Sequence, residues 1–130
     1  MSGEGGWRVL TTGPARRDIV EALAHTRRVH GAIQADRYET WINALLARLV
    51  EGPHARGTRA VGGTGPRGLR SLSMSAVGAR RGRHVAFFRG GADRTVTVLR
   101  ILHDAMDPAR HLVPEAGRGE AEDDGPPPGA

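Results

Sequence analysis

Three arginines and one histidine stand where chemistry could be done. Arg70, Arg89 and Arg100 fall on three consecutive strand-like runs, and His103 closes the last of them. Guanidiniums gathered on one sheet face would hold carboxylates or phosphates in bidentate fashion. A histidine beside them could transfer protons at a phosphate. Each residue also has a plainer reading. Arginines at strand ends are commonly solvated, and a lone histidine more often packs with its ring nitrogens bonded to backbone. The other histidines, His25, His30, His54, His84 and His111, show no HExxH and no paired metal-ligand spacing, so no metal is expected. The chain has no cysteine, which excludes thiol catalysis, disulfides and cysteine metal sites. Neither GxxxxGK[ST] nor GxGxxG occurs, and no cofactor is expected.

Charge narrows the partners. All 19 basic residues are arginine, so lysine chemistry is excluded. Residues 1–114 carry 18 arginines and nine acids, a net of +9, whereas the residues from Glu115 onward carry five acids and one arginine, a net of −4. A basic body of this kind suits an acidic partner, either nucleic acid or an acidic protein. No apolar run approaches the roughly 18 residues of a membrane span. The N-terminus lacks the basic flank and apolar run of a secretory signal. Cytoplasmic location is the expectation.

The elements that must position these residues read clearly along the 130-residue chain. Trp7–Thr12 is a short strand stopped at Gly13-Pro14. A helix from about Pro14 to His30 sets Ala15, Ile19, Ala22, Leu23, Thr26 and Val29 on one face, and Gly31 caps it. A second helix, Ala32–Val50, carries Tyr38, Trp41, Ile42, Leu45, Leu46 and Leu49 as its apolar stripe, which makes the two aromatics core residues. Two helices joined at one glycine must fold back on each other to bury both stripes. His54–Gly68 is a glycine-rich connector. Three strands follow, at Leu69–Val77, Arg83–Arg89 and Arg94–His103, with turns at Gly78–Gly82 and Gly90–Asp93. The fold class is α+β, in the order β-α-α-β-β-β, with a helical hairpin packed on an antiparallel meander sheet. Asp107–Leu112 makes one closing turn. Residues 1–6 and the Pro- and Gly-rich acidic tail, 113–130, are expected to be disordered around a domain spanning 7–112.

The final strand is apolar on both faces, with Val96, Val98, Arg100 and Leu102 on one and Thr97, Leu99 and Ile101 on the other. The helical hairpin can cover only one face. The other is left for a partner, or for loops and the closing turn.

Taken in order, these residues resemble the ParE/RelE toxin superfamily, in its ParE branch. The resemblance rests on Ala15-Arg-Arg-Asp18-Ile19 opening the first helix and on Gly31 between the helices. It continues through Pro53-x-x-x-Gly57, Gly68-Leu69-Arg70, Phe87-Phe88-Arg89 and Val98-Leu-Arg-Ile-Leu-His-Asp104, with Met106-Asp107 and Leu112 after it. It covers about residues 7–112. The Ala60–Pro66 loop, longer and more glycine-rich than the pattern, and the acidic tail depart from it. The resemblance implies the toxin of a type II toxin–antitoxin module that inhibits DNA gyrase by binding, without chemistry of its own. A ParD-like antitoxin would neutralise it. Neither a membrane nor a specific nucleic-acid sequence is an implied partner. An acidic, amphipathic antitoxin segment would then cover Val96, Val98 and Leu102 and place carboxylates on Arg70, Arg89 and Arg100. The alternative is a RelE-like, ribosome-dependent mRNA endoribonuclease. In that reading Arg70 and Arg89 hold the phosphate, and His103 or Glu51 moves the proton.

Overall fold

The computed structural model describes residues 6–62, 66–106 and 108–112. Strand β1 (Arg8–Thr11) leads into the hairpin of α1 (Gly13–His30) and α2 (Ala32–Leu49). Then come β2 (Arg59–Ala60), β3 (Arg70–Ser73), β4 (His84–Gly91), β5 (Thr95–His103) and a closing turn, α3 (Pro108–His111). The sheet order is β1-β5-β4-β3-β2, and β1 runs parallel to β5 while every other pair is antiparallel. The α+β class and the hairpin-then-strands order are as expected. The sheet is mixed, not a pure meander, because the hairpin returns the chain to the same end and lays β5 beside β1.

Local chemistry explains the element ends. Thr12 caps α1 by accepting the Ala15 N–H at 3.1 Å, and its hydroxyl donates to the Leu99 carbonyl at 2.8 Å, so one side chain both starts the helix and ties it to β5. Pro14 sits in the first turn, where its missing N–H costs nothing. Gly31, at φ 95°, closes α1 and opens α2. Gly52 holds φ 105°, and the Trp7 ring lies 2.9 Å from where a Cβ would stand.

Four expectations about the elements are corrected. The strand expected over Leu69–Val77 ends at Ser73, whose hydroxyl accepts the Ala76 N–H and caps a 3-10 turn over Met74–Val77. Part of the 54–68 connector is not a free loop, since Arg59 and Ala60 pair with Ser71 and Arg70 at the sheet edge. Val29 is exposed, as are its neighbours Arg27, Arg28 and His30 in the last turn of α1. The faces of β5 are the fourth. Phe87 pairs with Arg100 and Phe88 with Val98, so Leu99 is an extra residue in a β-bulge. The bulge shifts the alternation by one. Val96, Val98 and Ile101 therefore face the hairpin together, in the main core with Leu72, Ala86, Phe88, Ile42, Leu45 and Leu49. Leu102 and Leu99 fall on the opposite side, in a second cluster with Leu69, Phe87 and Leu112. The far face of β5 is thus covered from within the chain, by the strands' own side chains and the closing segment. Residues 1–5 and the acidic tail, 113–130, lie outside the described residues, as do 63–65 of the connector.

Candidate functional site

The three arginines are not brought together. Arg70 pairs across the ladder with Phe88 and shares its hairpin-facing side, whereas Arg89, the next residue after Phe88, points to the other side. The Arg70 guanidinium donates to the Pro53 carbonyl at 2.6 Å and the Thr58 hydroxyl at 3.0 Å, stapling the chain that leaves α2. Arg100 lies at the sheet edge. Its fork holds both Asp18 carboxylate oxygens, at 2.8 and 2.9 Å, and reaches the His111 carbonyl at 3.3 Å. Asp18 also accepts the Ile101 N–H at 2.9 Å. The reason is geometric. β1 pairs only with Thr95–Val98, so beyond Val98 the edge of β5 would be bare. Thr12 and Asp18 satisfy it from α1. This half-buried ion pair, reinforced by hydrogen bonds, holds the Arg100 pKa above its ordinary value. Val96, Val98 and Leu102 are sealed, at 0, 0 and 2 % exposure. Glu51 is exposed just past the end of α2, 13 residues from Tyr38 and so roughly 20 Å along the helix axis from the end where His103 lies.

What the fold does assemble is a cleft of about 420 Å³ between the tip of the helical hairpin and the His84 end of β4. Tyr38, on the buried stripe of α2, sends its hydroxyl across to the sheet. There it accepts the Arg83 N–H at 3.0 Å and shares a hydrogen bond with His84 Nδ1 at 2.6 Å. His84 pairs with His103 across the β4–β5 ladder, and their rings meet edge to face with centroids 5.5 Å apart. Burial, with His103 beside it, lowers the His84 pKa to about 4, so the ring is neutral. Burial also raises the Tyr38 pKa, which keeps its proton in place. His103 Nδ1 accepts the Ala105 N–H at 3.1 Å. Asp104 stands 3.4 Å from the same nitrogen and could take a proton from it only in the imidazolium form. Asp104 is otherwise engaged by Arg83 through two hydrogen bonds of 2.9 and 3.0 Å, which hold its carboxyl below the ordinary carboxylate range. Trp41 lines the wall and packs against Tyr38 at 5.3 Å.

Of the expected site residues, only His103 belongs to this cleft's polar centre, and Leu102 lines it from below. Sequence reasoning missed Tyr38 and His84 as polar partners. Tyr38 reads as core from helix periodicity, and it is core. Only its hydroxyl is not. Among the described residues, no group of histidines and acids could hold a metal ion, and no helix is long and apolar enough to cross a membrane.

The comparisons agree with this architecture. The family model described as the ParE toxin of type II toxin–antitoxin systems, parDE, matches residues 9–108. Among solved structures, the chromosomal ParDE toxin–antitoxin system from P. aeruginosa is similar in fold. Its TM-score is 0.57 at 19 % identity, over 76 % of this chain and 97 % of that one. No curated protein matches the sequence. With the family model covering most of the chain, and the helical hairpin and five-stranded sheet to match, this protein belongs to the ParE toxin family of type II toxin–antitoxin systems.

Proposed function

We propose that this ParE family member is a toxin that inhibits DNA gyrase by binding in the cytoplasm, without chemistry of its own, and that its cognate antitoxin neutralises it. The observation that carries the reading is the ParE toxin match over residues 9–108. The arrangement of the side chains supports binding over catalysis. Arg70 and His103, which an endoribonuclease would need around one phosphate, are four ladder pairs apart along β4, roughly 14 Å. The Arg70 guanidinium and His103 Nδ1 are also engaged in structural bonds. In this reading the antitoxin meets the far side of the sheet at Arg89. Val96, Val98 and Leu102 support that surface from beneath, while Arg70 and Arg100 hold the loop and edge that frame it. A supercoiling assay with purified toxin tests the target. Loss of supercoiling with accumulation of cleaved gyrase–DNA complexes is expected, and full supercoiling at large toxin excess overturns the reading. Primer extension after induction separates the alternative, since codon-positioned cuts in mRNA that vanish in His103→Ala would make the chain an endoribonuclease.

A further inference from the structure

Charge is unevenly placed along this chain. Between Glu51 and Asp93 there is no acid, and these 41 residues carry eight arginines. The stretch builds β2, β3, β4 and the turns around them, whereas Asp18, Glu21, Asp36, Glu39 and Glu51 lie on or just past the helical hairpin. Three of the eight arginines are placed elsewhere. Arg70 is committed to the Pro53 carbonyl, Arg83 to Asp104, and Arg89 lies on the far side of the sheet. The other five, Arg56, Arg59, Arg67, Arg80 and Arg81, are exposed.

The fold gathers these five at one edge. β2 is the outermost strand, so no strand lies beyond it. Arg59 pairs with Ser71 on it, and Arg67 stands at the end where β2 connects to β3. At the other end, Gly57 packs so closely on Ala76 that a Cβ would stand 3.0 Å from that side chain. This close approach holds Arg56 beside the 3-10 turn that leads to Arg80 and Arg81. Arg48, at the end of α2, fixes the same loop by donating to the Arg56 carbonyl at 2.7 Å. Val61 turns its N–H inward to the Leu69 carbonyl at 2.9 Å, so alternation leaves the Ala60 N–H on the open edge as a further donor. β3 alone covers roughly 10 Å from Arg70 to Ser73. Cations spread over that length, with a turn at each end, match a row of phosphates better than one anion.

What the edge lacks narrows the occupant. No large apolar residue of residues 52–92 is exposed among the described residues, so an amphipathic peptide has nothing to bury there. No Phe, Trp or Tyr lies between Trp41 and Phe87, and Phe87 is buried, so unpaired bases have no ring to stack on. Guanidiniums and a backbone N–H are the groups that hold the phosphates of a duplex without reading its sequence.

We infer that the β2 edge, from Arg67 through Arg59 and Arg56 to Arg80 and Arg81, is a sequence-independent grip for the phosphate backbone of duplex DNA. It goes beyond gyrase inhibition and is measured without gyrase, so the two stand or fall separately. Fluorescence anisotropy of two unrelated short DNA duplexes, titrated with the full chain, tests it. Micromolar binding at low salt is expected, equal for both sequences within about twofold, with log affinity falling against log salt at a slope of about −3. Replacing Arg56 and Arg59 together by Ala weakens binding at least tenfold and lowers the slope by about 2, since each phosphate contact contributes roughly 0.9. Replacing Arg27 and Arg28 by Ala removes the same charge from exposed positions on the hairpin and changes affinity less than threefold. Urea midpoints of both double variants check that the fold is kept. If the hairpin variant loses as much as the edge variant, net charge alone binds DNA and the edge is overturned. No binding at 50 mM sodium chloride, or tighter binding of single-stranded DNA or duplex RNA, overturns it as well. So does an edge variant that binds DNA as the parent does but loses affinity for the antitoxin, which would make the edge a protein contact.

Discussion

At Arg100, a helix, a strand and the closing turn meet in one guanidinium. The expected role of this residue was to receive a partner's carboxylate, and the fold supplies one from Asp18. Truncating Arg100 leaves an acid whose side chain is only 9 % exposed beside a bare strand edge. Losing one partner of such a pair is costly because the remaining charge is desolvated and uncompensated. Arg100→Ala is expected to destabilise the fold by about 2–4 kcal/mol in urea unfolding, discounted for the arginine's partial exposure. A drop in antitoxin affinity in this variant would then follow from loss of fold. His84 gives the second prediction. Folded, it takes up its proton only near pH 4, against an unfolded value near 6.5. Between these values the unfolded chain binds the extra proton, so stability falls as pH drops through that window and is flat above it. From pH 7 to pH 5 the His84 contribution is a loss of about 1 kcal/mol, after allowing for screening of a partly exposed ring. His84→Asn, which keeps a hydrogen-bonding side chain facing Tyr38 but does not titrate, should show a shallower acid limb than the parent when unfolding is followed against pH.

Among the elements, the junction after α2 is where sequence order is converted into layer order. Gly52 turns the chain in left-handed backbone, and the Trp7 ring closes over it, while the Trp7 backbone N–H donates to the Val50 carbonyl at 2.9 Å. Gly52→Ala brings both left-handed strain and a clash with an indole that has packing on its other side. About 2 kcal/mol or more is expected, read as a lowered urea midpoint with an unchanged slope. The bulge at Leu99 is the other decisive local feature. It lets β5 present Val96 and Val98 to the hairpin near one end and Ile101 near the other, although these positions differ in parity. Removing the extra residue would restore strict alternation and turn either Ile101 or Val98 out of the core.

As a whole molecule, the protein is a basic toxin-family domain whose apolar strand is covered by its own chain. Binding to an acidic antitoxin is therefore expected to depend on salt more than on a bare apolar strip. Long-range attraction to a net +9 body is screened over about 10 Å at 0.1 M ionic strength. Raising sodium chloride from 50 to 500 mM should slow association at least tenfold while changing dissociation less, as stopped-flow mixing can measure. An association rate indifferent to salt would show that apolar contacts, not charge, steer the encounter.

Much of this fold was legible in the residues. The 3.6-residue stripe from Tyr38 to Leu49, the proline after Thr12, Gly31 between two helices and the β-branched run at 95–98 are local signals, and local signals survive in one dimension. So does the family, whose short motifs occur in the right order. The parts that were not legible depend on which residues meet across the sheet. A bulge leaves no mark in hydrophobic alternation until the partner strand is known, so strict alternation assigns the wrong faces of β5 from Arg100 onward. Arg100 looked free because Asp18 lies 82 residues earlier and meets it only through the edge that β1 leaves uncovered. Tyr38 and His84, 46 residues apart, are a buried aromatic and a strand-end histidine in the sequence. Tertiary structure alone makes them a hydrogen-bonded pair, because only packing α2 onto β4 removes the water that would otherwise satisfy both.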